Sequence, residues 1–429
     1  MKFLISTVGK PSEYNNAKYI YKGVEKESNF SSSLIKELEK PNVNVLIGQF
    51  TLAHENRTLS EHVSMKDLQD FSLETLKRKL QLDDYQIIVS PGVVSEYNEN
   101  GSPNVLYKGD IYNFYGYTLH SLANIFLDHV KEMDNQDIEI VLDLTHGINY
   151  MGYLTFDAVS LIADVMSTKF SVRMRVVNSD PYPQRPKGDP TLKITPKLNI
   201  NEMNEDVKPS FSYPVGEGCV KSLRPSSVIP DEKKKEVYDQ VRGKQVNGGL
   251  PKVESKYFVN SFNRGSLLSA FYFNDDFELC VKKAVDLFEN NVILDSVNPL
   301  IVTQRLSFTE TFQSYVIAKM LKKLHGFPNQ QNLDDGVPID EIRKLSEIYH
   351  KSQPVLFTII NNELYSLQKV DLDNWTPLNK ILNTRDDPDK RTFFAHAGLP
   401  GGFTEVRKDQ TVRVRYSRDV LGNVKDFLG

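Results

Sequence analysis

Over the first two hundred residues, short β-type runs alternate with helical patterns, and no other feature of the chain restricts its fold as strongly. The spacing predicts strands within Lys2–Val8, Val43–Phe50, Tyr85–Ser90, Ile138–Leu142 and Ser171–Val177. Helices are predicted between them at Ser31–Glu39, Leu73–Leu80, Ile111–Met133 and Tyr150–Met166. In the third, Leu119, Leu122, Ala123, Phe126 and Val130 recur at three- and four-residue steps, which leaves one apolar face. Ile138-Glu139-Ile140-Val141-Leu142 has the aliphatic density of a strand covered on both faces. Alternation of this kind predicts a mostly parallel sheet with helices on both sides, a Rossmann-like α/β domain over residues 1–200.

In such sheets ligands bind beyond the carboxyl ends of the strands. The loops expected there carry Thr7, Gly9 and Lys10, then Gln49 and Thr51, then Ser90-Pro91-Gly92, then Asp143-Leu144-Thr145-His146-Gly147-Ile148-Asn149. They are rich in hydroxyls, amides and glycine and poor in paired carboxylates or metal-ligand clusters. That is binding chemistry for phosphate and nucleobase, with helix N-termini offering N–H groups to anions. Neither G-x-G-x-x-G nor G-x-x-x-x-G-K-[ST] follows a predicted strand, which argues against a dinucleotide cofactor and a Walker loop. The plainer reading of Thr145–Asn149 is an ordinary strand-to-helix turn, with Thr145 or Asn149 as cap and His146 exposed.

Composition narrows the setting. A length of 429 residues with 40% hydrophobic and 25% charged side chains fits a soluble protein of two or three domains. A net charge of −4 argues against a generally basic nucleic-acid binder but leaves room for a local basic groove. The two cysteines, Cys219 and Cys280, are too few for a disulfide framework or a four-ligand zinc site. The apolar run at the N-terminus is too short for a signal-peptide core, and no run is long enough to span a bilayer. A cytoplasmic protein with no membrane partner is expected.

Residues 201–263 have linker composition: Pro209, Pro214, Pro225, Pro230 and Pro251 are interspersed with Gly216, Gly218, Gly243, Gly248 and Gly249. One helical candidate, Asp231–Arg242, interrupts this connector; it reads as a solvated helix or as part of a small winged or helix-turn-helix element. From Arg264 to Gly429 helical patterns dominate, at Ser266–Asn290, Gln304–Leu324, Asp340–Tyr349 and Val355–Leu367, and predict an all-α bundle. Near its end, Asp387 suits an N-cap, Pro388 a first helical position and Gly398 a stop. The helix so bounded carries Arg391 and His396.

An R-x4-H pair is weak by spacing alone: Arg57 and His62 share it, and Arg343 and His350 form an R-x6-H variant. What separates Arg391 and His396 is a capped helix with Phe393 and Phe394 to bury. Histidine titrates near neutrality and can take a proton from a ribose 2′-hydroxyl, while a guanidinium can stabilise the charge developing on phosphate. Five residues at about 100° each put the two side chains about 140° apart, so two such helices facing across a dimer suit one phosphate better than one helix does. A surface Arg with a His at a helix end is the bland alternative. Beyond them, Thr411-Val-Arg-Val-Arg-Tyr416 alternates like a hairpin strand with its arginines on one face, suited to an RNA backbone or to blunting an edge.

Taken together, the α/β domain, the connector and the helical domain with R-x4-H resemble the CARF–HEPN ribonucleases of type III CRISPR systems. Asp143-Leu-Thr-His-Gly-Ile-Asn149 is similar to the D-x-T-H-G-x-N loop of their CARF domains, and Arg391-Thr-Phe-Phe-Ala-His-Ala-Gly-Leu399 to their HEPN motif. The resemblance implies a homodimer whose CARF domains share one cyclic oligoadenylate, the four-adenosine ring first among the candidates. Ring binding would switch on metal-independent cleavage of single-stranded RNA in antiviral defence, with no cofactor. It assigns Thr145, His146, Gly147 and Asn149 to the ligand, and Arg391 and His396 to catalysis. Thr7, Gly9, Lys10, Gln49 and Thr51 join the ligand set by lying on strand-end loops. Thr392 stands where many HEPN proteins have Asn. A ligand-responsive transcriptional regulator and a ring nuclease acting in the CARF domain are the alternatives.

Overall fold

The computed structural model describes residues 1–55, 63–80, 82, 84–131, 137–183, 188–200, 219–223, 235, 255–327, 333–368, 372–383 and 388–429. The candidate helix Asp231–Arg242, the pair Arg57 and His62, and Asp387 lie outside these residues or almost wholly so. In chain order the N-terminal strands are β1 (Lys2–Thr7), β2 (Ala17–Tyr21), β3 (Val24–Ser28), β4 (Val43–Gln49), β5 (Tyr85–Ser90), β6 (Val94–Tyr97), β7 (Pro103–Lys108), β8 (Asp137–Asp143), β9 (Ser171–Ser179) and β10 (Thr191–Ile200). The helices among them are α1 (Ser32–Glu39), α2 (Met65–Lys79), α3 (Ile111–Val130) and α4 (Asn149–Ser167). Every predicted strand and helix of this region is present. The reading of α2 began eight residues late, because its start is set by a capping box between Ser64 and Asp67 rather than by apolar periodicity.

The main sheet has the order β3-β2-β10-β9-β8-β1-β4-β5. Its centre is parallel: Ile5 of β1 lies between Val45 of β4 and Leu142 of β8. All seven residues of β4 are buried, as a strand covered on both faces requires. On one face Phe3, Ile5, Ile140 and Leu142 join the large core under the helices. On the other, Leu4, Val141 and Val177 pack against Tyr19, Tyr21, Leu34 and Ile35. The sequence reading missed the β2–β3 hairpin, although Lys22 and Gly23, with φ of +51° and +79°, make the two-residue turn that suits strand twist. It also missed β10, which runs antiparallel to β9 at one side of the sheet.

The C-terminal third is mainly helical, as expected, but strands are added to its helices. It contributes β12 (Val292–Val297), β13 (Leu300–Gln304) and β14 (Leu306–Phe308). Strand β13 lies parallel to β7, with Leu300 opposite Val105, in a second sheet of order β12-β13-β7-β6. Strand β14 pairs with β11 (Val220–Ser222), a piece of the expected connector. The fourteen residues of β12, β13 and β14, read as loop and helix start, are therefore β structure. Their Val/Ile/Leu/Thr content suits strands, and the parallel partner of β13 lies 195 positions earlier.

The helices here are α5 (Ser255–Asn263), α6 (Leu267–Tyr272), α7 (Phe277–Glu289), α8 (Glu310–Leu324), α9 (Ile339–Ser346), α10 (Tyr349–Ser352), α11 (Pro354–Leu367), α12 (Leu378–Leu382), α13 (Lys390–Ala395) and α14 (Leu421–Leu428). The single predicted helix over Ser266–Asn290 is two, because Asp276 caps α7 by accepting from Leu279 N at 3.0 Å. A third sheet closes the chain, with β15 (Val337–Pro338), β16 (Thr376–Pro377), β17 (Thr404–Lys408) and β18 (Val412–Tyr416) in the order β15-β18-β17-β16. Among the described residues no helix is long and apolar enough to cross a membrane.

Candidate functional site

The loop from β8 to α4 is built on a buried carboxylate. Asp143 is 1% exposed and accepts from Ser31 Oγ at 2.8 Å, Ser32 Oγ at 2.5 Å and Thr145 N at 3.0 Å. His146 is turned inward rather than outward. Its ring lies 4.4 Å from that of Tyr14 and 5.3 Å from that of Phe30, and its Nε2 accepts from Ser31 N at 3.2 Å and pairs with Tyr19 Oη at 3.3 Å. A nitrogen that accepts from a backbone N–H carries no proton itself, so Tyr19 donates as well and Nδ1 holds the proton. Burial lowers the imidazole pKa below its ordinary value, with the nearby Asp143 charge opposing that shift.

The remaining strand-end residues are mostly scaffold. Thr7 is buried, and its hydroxyl donates to the His146 carbonyl. Gly9 is buried, donates its N–H to Tyr14 Oη at 2.7 Å, and would bring a Cβ within 3.2 Å of the Gly147 backbone. Gly147 has a φ of +146° and faces Thr7, so a side chain here is strained and crowded. Gln49 and Thr51 are buried; Gln49 donates to Tyr150 Oη at 2.6 Å and accepts from Thr51 at 3.2 Å. Lys10 is bound to Glu13 and Glu96 at 3.2 and 3.3 Å. Thr145 accepts from Ser179 N at 3.1 Å. What reaches solvent is Gly147, Ile148 and Asn149, at the N-terminus of the nineteen-residue α4. Its N-cap, Ile148, has no side-chain acceptor for the first N–H groups, which leaves that end suited to an anion.

The second cluster lies on α13. Its cap is Asp389, which accepts from Thr392 N at 2.7 Å, so the helix starts two residues later than the Pro388 reading and is six residues long. Phe393 is fully buried against Phe403 and Phe427. That anchor leaves Arg391, in the first turn, and His396, at the C-cap, exposed. The chain then turns sharply: Ala397 and Gly398 both have positive φ, and a Cβ on Gly398 would sit 2.0 Å from Ser266 Oγ. His396 Nδ1 lies 3.0 Å from Glu363 Oε1 on α11, with the histidine side chain 48% and the glutamate 25% exposed. Glu363 escaped the sequence reading, since nothing in a lone glutamate on a helical pattern marks it as a partner thirty-three residues away. A carboxylate only accepts, so Nδ1 donates to Glu363, and Nε2 is the nitrogen left for another partner.

Strand β18 has the predicted alternation, with Val412, Val414 and Tyr416 inside and Arg413 and Arg415 outside. Its arginines are engaged within the fold. Arg415 binds Glu405 at 2.7 Å and stacks 4.2 Å from Trp375, whose ring also lies 4.9 Å from Arg407. Arg413 donates to the carbonyls of Asp335 and Gly336. Arg343 of the R-x6-H variant pairs with Asp340 at 2.7 Å, as a solvated helix face does. Among the described residues no three His, Cys, Asp or Glu side chains gather as a metal site would need.

Two family models match the chain in order. The CARF domain of the CRISPR system endoribonuclease Csx1 covers residues 3–181, and its HEPN domain covers residues 353–419. The first span holds the Asp143–Asn149 loop and the second holds Glu363, Arg391 and His396. A CRISPR system endoribonuclease Csx1 from Methanocaldococcus jannaschii is 30% identical over 430 aligned residues, 94% of this chain and 86% of that protein. With both domains matched in order and a relative aligned nearly end to end, the chain belongs to the Csx1 family of CRISPR-associated endoribonucleases.

Proposed function

We propose that the protein is a homodimeric ribonuclease that cuts single-stranded RNA without a metal and is switched on by a cyclic oligoadenylate, first among them the four-adenosine ring. The observation that carries the catalytic half is the exposed His396, held at Nδ1 by Glu363, on the same short helix as the exposed Arg391. His396 Nε2 takes the proton of a ribose 2′-hydroxyl. The oxygen attacks the adjacent phosphorus, and the 5′-oxygen leaves as that bond breaks and takes a proton from water, while His396 later returns its proton to solvent. Arg391 stabilises the charge on the phosphoryl oxygens, and the products are a 2′,3′-cyclic phosphate and a 5′-hydroxyl. With two copies of α13 facing each other, the roughly 140° between the residues ceases to separate them.

The ring's phosphates meet the exposed turn at Gly147–Asn149, with Asn149 and the first N–H groups of α4 as donors. Thr145, His146, Thr7 and Gly9 hold that turn in shape. Labelled RNA incubated with cyclic tri-, tetra- or hexa-adenylate, in EDTA, tests the whole reading. Cleavage with cyclic phosphate ends in the presence of one ring supports it, and a strict magnesium requirement overturns it. His396→Ala lowers kcat by about 10²–10⁴ while ring affinity is unchanged. Asn149→Ala weakens ring binding and leaves the basal cleavage rate as it was.

A further inference from the structure

Beside α13, and separate from the His396–Glu363 pair, lies a cleft of about 790 Å³, a size usual for small-molecule sites. Val355, Leu356 and Ile359 of α11 line it together with Lys390 and Phe394 of α13 and Arg264 at the end of α5. None of its lining residues is a carboxylate, and two are cations. The Arg264 guanidinium lies 5.0 Å from the centre of the Phe394 ring and is pinned by donating Nη1 to the Phe427 carbonyl at 2.7 Å. Val355, 73% exposed, stands at the rim, and the exposed Lys390 directly precedes Arg391.

An aromatic ring, a fixed guanidinium plane, aliphatic walls and a lysine are the parts of a nucleotide site. Bases stack on rings and on guanidinium planes, and the phosphate goes to the cation. We propose that this cleft seats one base of the RNA strand next to the bond that is cut, stacked at Phe394 and Arg264 and with its phosphate toward Lys390. The proposal rests on the ribonuclease reading above and adds a determinant of where the enzyme cuts. Lys390 and Phe394 are one turn apart on the helix that carries Arg391, so a base held there fixes the register of the strand at the reacting phosphate.

The test uses the full-length protein and RNA oligonucleotides carrying a single abasic position, moved base by base across the cut. For the unmodified enzyme, one abasic position raises KM by about 5- to 150-fold, the range of one lost base stack. Phe394→Leu keeps the bulk but loses the ring; it raises KM for intact RNA and abolishes the sensitivity to that position. Val355→Glu, on an exposed residue that folding does not need, places a negative charge at the rim and raises KM through repulsion of phosphate. An abasic series with no position effect, in an enzyme that His396→Ala inactivates, overturns the subsite and leaves the ribonuclease reading standing. Undiminished cleavage by His396→Ala overturns the reading beneath it. A shift of Val355→Glu from dimer to monomer in sedimentation assigns the cleft to a second copy of the chain and overturns the subsite too.

Discussion

Glu363 and Glu39 show how single carboxylates act in this protein. Glu363 on His396 Nδ1 sets which nitrogen is basic, so Glu363→Ala lowers kcat about 10- to 100-fold with KM unchanged, and Glu363→Gln, which still accepts a hydrogen bond, restores part of it. Steady-state kinetics on one RNA checks this. Glu39 is 5% exposed, yet it binds Lys22 at 2.8 Å, Arg175 at 2.9 Å, Lys2 at 3.1 Å and Tyr21 Oη at 2.6 Å. Burial pushes its pKa up, but the hydrogen bonds from Lys22, Tyr21 and Lys2 and the Arg175 charge outweigh that and bring it down to about 2. The folded pKa lies below the unfolded one, so this stabilisation is full above about pH 4.5 and fades as pH falls toward 2. Glu39→Gln costs about 3–5 kcal/mol at pH 7, and in acid titrations its deficit against the parent protein shrinks over that window.

At the scale of elements, α13 shows what was readable locally and what was not. A helix start near Asp387-Pro388-Asp389 and a stop at Gly398 follow from cap chemistry, and both are present within two residues. Which aspartate caps depends on which one reaches Thr392 N, and that one is Asp389. Gly398 is needed for two reasons, its positive φ and Ser266 across the turn. Gly398→Ala therefore lowers the melting temperature by an amount worth about 2–3 kcal/mol and reduces RNA cleavage, since the turn directly follows His396. Thermal unfolding and an activity assay on the soluble fraction measure both. The strands β12 to β14 were not readable, because a four- to six-residue aliphatic run reads equally as strand or helix start until its partner is known.

For the whole molecule, the strands that lie between the two family-matched spans are fastened to the first of them. Asn113 on α3 donates to Gln304 Oε1 at 2.7 Å and to the Leu306 carbonyl at 2.9 Å, and accepts from Phe308 N at 2.9 Å. Gln304 in turn donates to the Gly92 carbonyl at 2.8 Å, beyond the end of β5. This buried, mutually satisfied group ties β13 and β14 to α3 and to the loop after β5. Under the proposed function, it is the path along which ring binding would favour one dimer arrangement. Asn113→Leu leaves Phe308 N and the Leu306 carbonyl unpaired, costs about 2–4 kcal/mol, and lowers the fold-stimulation of RNA cleavage by the ring more than the basal rate. Equal loss of stimulated and basal rates places the coupling elsewhere.

The alternation of periods two and 3.6 over residues 1–200 determined the parallel sheet by itself, because burial on both faces leaves few other ways to place such runs. The short helix bearing Arg391 was likewise legible to within two residues, since capping, glycine and proline chemistry is local, whereas Asp143–Asn149 and Arg391–His396 stood out as motifs through resemblance to a family. Tertiary structure alone decided the rest. It turned His146 inward under Tyr14 and Phe30, brought Glu363 to His396, occupied Arg415 of β18 with Trp375 and Glu405, and paired β13 with β7 across 195 residues. Those outcomes depend on which surfaces meet when the chain packs, and a one-dimensional pattern records the surfaces but not their partners.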